Sequence, residues 1–284
     1  VHYQITHTTT YSYDRPVTFA PHQLQLRPRS DVMQTCQQFQ QQIAPVPHSQ
    51  HDRADLDGNW ITQIRFDDQP TTTLMIQIQS QVETHCNNPF DYLLEAWAVQ
   101  LPIDYPSQLY QRLQPYLQGQ WGSMIDPIAR QLAEDVWQET NGNTSAFLIS
   151  LNQRIYQTCQ YQIRPTGAAW PPGLTWRRQE GSCRDLTVLF MEVCRSVGLA
   201  ARFVSGYEAG DPDMAQHLHA WAEVYLPGAG WRGFDPTHGL AVADRHIALV
   251  ASPNAQATLP IQGTLRSGQG AAVTMQAQVS VVPG

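Results

Sequence analysis

Three residues in this chain are of types that together perform acyl transfer: Cys183, His219 and Asp235. A thiol attacks a carbonyl well only when a base takes or holds its proton and an acceptor orients that base. Cys183 follows Gly181 and Ser182 and opens an apolar-periodic run, "CRDLTVLFMEVCRSVG". Ser182 is a capping residue type, and Leu186, Leu189, Phe190, Val193 and Val197 recur at helical spacing before Gly198. Cys183 is thus expected at a helix N-terminus, where unpaired N–H groups and the positive end of the macrodipole favour a thiolate.

The base and its partner lie further on, in "HLHAWAEVYLPGAGWRGFDPTHG". His219 begins an alternating strand, "PGAG" at Pro227–Gly230 reads as a turn, and Asp235 closes the returning strand. Antiparallel pairing brings His219 and Asp235 to the same end of the hairpin. The count on either side of the turn is unequal, which implies a bulge or slanted pairing. Asp235 precedes Pro236 and is held extended.

Neighbouring residues have blander readings. Cys194 lies deep in the same helix and is expected to be an inert core thiol. His217 and His219 form H-x-H, but no C-x-x-C or H-E-x-x-H completes a zinc set, so no metal and no cofactor is expected. Trp221 and Glu223 share the face of His219, and Trp221 suits either a site wall or core packing. The oxyanion formed at Cys183 needs its backbone N–H plus one upstream donor, with Trp176 and Gln179 as the candidates.

These parts require a scaffold. Up to about Glu83 the chain alternates with period 2, most clearly in "LMIQIQSQV", and "DLDGNW" carries an Asp-Gly hairpin signal. Several short strands without helical period predict a β-sandwich over residues 1–85. Residues 86–124 read as a packed connector rich in X-Pro steps and aromatics. In residues 125–284, Asp126 and Pro127 start one helix, a second begins near Thr144, the Cys183 helix follows, and three strands succeed it. The tail "AVTMQAQVSVV" reads as a last strand.

At 284 residues the chain can bury a substantial core, and 42% hydrophobic with 10% aromatic residues is a globular composition. A net charge of −7, with no lysine and no basic run, argues against nucleic acid or an anionic membrane as the main partner. No apolar stretch approaches the roughly 20 residues of a membrane span. Five widely spaced cysteines and a polar N-terminus suit reduced thiols and a cytoplasmic location. Oligomeric state has no signature here.

The ordered set G-x-C-x-D, "GLAARFVSGY", H-A-W and W-x-x-F-D-P-T resembles the transglutaminase-like superfamily. "YQITHTTTYSYDRPV", "HQLQLRPR" and "DLDGNW" resemble the β-rich region that precedes this core in bacterial members. The resemblance implies an α+β fold in which helices pack on an antiparallel sheet in the papain-like manner. It implies Cys183 as nucleophile, His219 as base and Asp235 as orienting acid. Asp185 matches the motif's C-x-D and is expected to bond nearby backbone or an arginine. The expected activity is thiol-dependent hydrolysis of an amide or peptide bond through a thioester. The alternatives are acyl transfer to an amine, as in a transglutaminase or other acyltransferase, and a non-catalytic binding module. An amine acceptor would need apolar walls, for which Trp176 and Trp221 are available. The loop "GYEAGDPDMAQHLH", with Glu208, Asp211 and Asp213, favours a hydrated site and cationic substrate ends.

Overall fold

A computed structural model describes residues 1–119, 124–164, 166–210 and 216–284. The N-terminal part comprises β1 (His2–Phe19), β2 (His22–Leu24), β3 (Gln34–Ala44), β4 (Ser49–Ala54), β5 (Trp60–Arg65) and β6 (Thr71–Thr84). Then come α1 (Ser107–Leu117), α2 (Pro127–Glu139), α3 (Thr144–Thr158), β7 (Gln160–Tyr161), α4 (Pro172–Arg178), β8 (Glu180–Gly181) and α5 (Cys183–Ser196). The remaining elements are β9 (Ala201–Glu208), β10 (Leu218–Leu226), β11 (Gly230–Asp235), β12 (Leu240–Ala241) and β13 (His246–Ser252), followed by β14 (Ile261–Gln262), β15 (Leu265–Ser267) and β16 (Val273–Pro283).

The fold is α+β. One sheet runs β15-β1-β6-β3 with β16 also on β1, and a second runs β14-β2-β5-β4. Alternation along β1 and β6 turns Ile5, Leu74, Ile76 and Ile78 inward, where they share a core with Leu24 and Ile64 of the second sheet. The third sheet, β12-β11-β10-β9-β13, is antiparallel and carries α5 on one face through Leu186, Leu189, Phe190 and Val193. Each such side chain, fully buried, stabilises by about 1.5–3 kcal/mol. Tyr207, Ile247 and Leu249 from β9 and β13 enter the core of the first two sheets, so the two halves pack through shared apolar side chains.

Two features differ from the sequence reading. The segment 86–124 contains the helix α1, with Leu113 buried and Pro115 near its end. The last strand, expected at the close of the C-terminal part, pairs along β1 from Tyr3↔Pro283 to Tyr13↔Val273. Its alternation specifies a half-buried strand but carries no information about a partner some 270 residues away, and the free edge of β1 supplies one.

Candidate active site

Cys183 is the first residue of α5 and is half-buried. The helix start is held by Asp185, whose Oδ2 accepts from the N–H and the Oγ of Ser182, both at 2.7 Å. The same buried carboxylate accepts from Trp170 N at 2.7 Å and forms an ion pair with Arg164 at 2.6 Å. Burial opposes its charge, but Arg164 and the N–H donors outweigh that and hold its carboxyl below the ordinary range. Asp185 therefore bonds backbone and an arginine, tying Arg164 and Trp170 to the start of the Cys183 helix. Gly181 permits this fold-back, since a Cβ there would lie 2.9 Å from that of Asp185.

The hairpin is regular, with Ala222↔Phe234 through Leu226↔Gly230 in unbroken register. No bulge is present. That register, carried one step on, sets Asp235 across from Trp221, so His219 is a diagonal neighbour on the same face and its side chain spans the offset. His219 Nε2 lies 2.7 Å from Asp235 Oδ2, and the Cys183 thiol is near enough to the imidazole to favour its charged form. Burial works against an imidazolium here, but the Asp235 charge, its hydrogen bond and Cys183 prevail, raising the His219 pKa well above its ordinary value. Asp235 is fully buried, which disfavours its charge, yet His219 and His246 keep it ionised far below the usual carboxylate range.

His246, on β13, was not singled out by the sequence. Its Nε2 is 3.1 Å from Asp235 Oδ2, and its ring packs edge-on against Trp221 at 5.1 Å. Thr237 N donates to Asp235 Oδ1 at 2.9 Å, so three donors converge on one carboxylate. Glu208 and His238 form a further pair at 2.9 Å, with the His238 ring 5.4 Å from that of His219. Glu208 was noted in the sequence only as part of the acidic loop, and the two histidines stand in "DPTHG" beside Asp235 and in "RHI" opening a strand; their meeting depends on β13 pairing with β9, where His246 opposes Glu208.

Glu208, His219, Asp235 and His246 offer ligand atoms within 4.8 Å of one another, a donor set a divalent cation could use. A metal there would take the Asp235 oxygen and His219 nitrogen that now share a proton. His217 is exposed and stands outside this set.

Cys183 and His219 line a single cavity of about 950 Å³. Neither Trp176 nor Trp221 lines it, and neither does Gln179. Trp221 is buried beneath the site, its ring lying over Gly206, where a Cβ would come within 2.6 Å of it. Glu223 pairs with Arg202 at 2.6 Å and is turned away to that partner. Asp211 and Asp213 lie outside the described residues. Cys194 is wholly buried, and burial pushes its thiol well up, as befits an inert core residue.

A capped-helix cysteine facing a strand-borne histidine and aspartate on an antiparallel sheet defines a transglutaminase-like architecture. Residues 3–83 match the bacterial transglutaminase-like N-terminal region, and residues 130–236 match the transglutaminase-like superfamily. The chain belongs to that superfamily. An uncharacterised protein of Mycobacterium bovis is 28% identical, the match covering 99% of this chain and 92% of that protein. A protein-glutamine gamma-glutamyltransferase of Pseudomonas aeruginosa is 28% identical across 61% of this chain and 27% of its own length. Among solved structures, a candidate cysteine protease from Cytophaga hutchinsonii shares the fold, with a TM-score of 0.72 at 16% identity, covering all of this chain and 91% of its own.

Proposed function

We propose that this protein is a thiol-dependent hydrolase that cleaves an amide or peptide bond through a thioester on Cys183. The observation that carries the reading is the alignment of Cys183, His219 and the buried Asp235, with the first two opening into one cavity. The Cys183 sulfur attacks the carbonyl carbon, and His219 delivers its proton to the leaving amine. Water then attacks the thioester, His219 takes a proton from it, and the thiolate leaves as the free acid forms. Asp235 keeps Nε2 protonated and Nδ1 directed at the thiol, while His246 and Thr237 fix the carboxylate itself. The Cys183 backbone N–H supplies one oxyanion donor.

Water is the favoured acceptor because neither tryptophan lines the cavity, while the polar side chains of Ser205, Gln256, Thr258 and Gln262 do and keep it hydrated. One observation favours a second reading, transfer to an amine: the similarity to a protein named as a gamma-glutamyltransferase. Offering a peptide amide together with millimolar primary amine separates the two. Predominant free acid supports hydrolysis; amine adduct in excess at modest amine concentration overturns it. Turnover surviving in Cys183→Ala would remove both readings.

A further inference from the structure

The last strand alternates as a core strand does. Val273, Met275, Ala277, Val279 and Val281 take one face, and Thr274, Gln276, Gln278 and Ser280 the other. Only Val281 is fully buried; Met275 remains 42% exposed although it lies on the apolar face. That face is left open because it fronts the cavity, which Met275, Ala277 and Val279 line together with Cys183 and His219. The wall facing the nucleophile is thus built by the N-terminal sheet, onto which β16 is paired.

Its position is fixed relative to the catalytic strand. Gln216, three residues before His219, bridges to Val279, its Nε2 donating to Val281 O at 3.3 Å. Its Oε1 accepts from Val281 N at 2.5 Å. The wall adds no charge either. His7, opposite Val279 in register, has both ring nitrogens satisfied by Tyr207 and Thr9, and burial lowers its pKa to about 4. No described residue lining the cavity is a carboxylate, and its arginines are engaged, Arg164 by Asp185 and Arg184 by the Arg164 carbonyl at 2.6 Å.

We propose that β16 is the specificity wall of the enzyme, seating bulky apolar side chains of an extended peptide on the acyl side of the scissile amide. This rests on the hydrolase reading for the bond that is cut. Alternate residues on one strand face repeat every ~6.8 Å, the same repeat as alternate side chains of an extended peptide. Polar groups around the cavity, among them Ser205, Thr258, Gln256 and Gln262, suit the peptide's own N–H and C=O groups.

The test uses peptide amides differing only in the acyl-side residue, Gly, Ala, Leu or Phe, plus an alkanoyl amide without a peptide backbone. Binding is measured by calorimetry to the full-length Cys183→Ala protein, so the readout needs no chemistry. Wild-type turnover is followed separately, and its absence would count against the hydrolase reading alone. The Leu and Phe peptides are expected to bind about tenfold or more tighter than the Gly peptide. Ala277→Glu, which places a charge on the proposed wall, should erase that preference, bringing the Leu and Phe peptides down at least tenfold, toward the affinity of the Gly peptide. Equal affinities across the series would overturn the proposal. So would an equal loss for all peptides in Ala277→Glu, or tighter binding of the alkanoyl amide than of the Leu and Phe peptides.

Discussion

Replacing Asp235 by asparagine perturbs the site at its most constrained atom pair. Oδ2 receives His219 and His246, and Oδ1 receives Thr237 N. Asparagine has one acceptor oxygen, so either the two imidazoles or the Thr237 N–H must face an amide NH₂. Leaving one buried donor unpaired costs about 1–3 kcal/mol. Losing the charge adds to this, since removing one partner of a buried ion pair costs about 3–5 kcal/mol. A net loss of about 4 kcal/mol or more in unfolding free energy is expected near pH 6.

Its pH dependence has a definite sign. The Asp235 pKa is lowered on folding, so its share of stability is full above about 3.9 and disappears as pH falls. The His219 pKa is raised, so its share is full below about 6.5 and drains as pH climbs through the raised value. The difference between the two proteins in denaturant titrations should therefore peak at about pH 4–6.5 and shrink on both sides. In kinetics, kcat should drop about 10²–10⁴-fold. The alkaline limb of the rate profile should move down by about one unit or more, because His219 has lost its charged partner. Wild-type kcat with an unmoved alkaline limb would refute the role given to Asp235.

Asp185→Ala removes the anchor of the α5 start and strands Arg164; a loss of about 3 kcal/mol or more is expected by chemical denaturation. An unchanged unfolding midpoint would contradict it. Cys194→Ala should cost on the order of 1 kcal/mol or more while sparing activity, so an inactive but well-folded variant would show that this thiol takes part in the chemistry. Micromolar zinc should inhibit reversibly by competing for the Asp235 and His219 atoms, with chelator restoring the initial rate; activation by zinc would mean the cluster is a metal site first.

The place of Cys183 at a helix start was legible because a cap, an apolar stripe and a terminal glycine are all local signals around it. His219 and Asp235 were legible because one short turn joins their strands. Of the bulge or slanted pairing expected, the bulge is absent, and a diagonal contact between side chains on one face satisfies the same count. The meeting of Glu208 with His238 and His246 was not legible, since it depends on β13 closing against β9 across a long connection. The pairing of β16 with β1 was hidden for the same reason, and with it the origin of the cavity's far wall. Trp221 was ambiguous as a wall because alternation fixes a face, while depth is set by Gly206 on the adjacent strand.

The most direct measurement is rapid quenching of the full-length protein during turnover of a peptide amide, followed by intact-mass and peptide-mass analysis. An acyl adduct on the peptide bearing Cys183 is expected, absent in Cys183→Ala and released by hydroxylamine. Turnover that proceeds equally in Cys183→Ala, or an adduct on any other residue, would contradict the central claim that Cys183 carries the reaction.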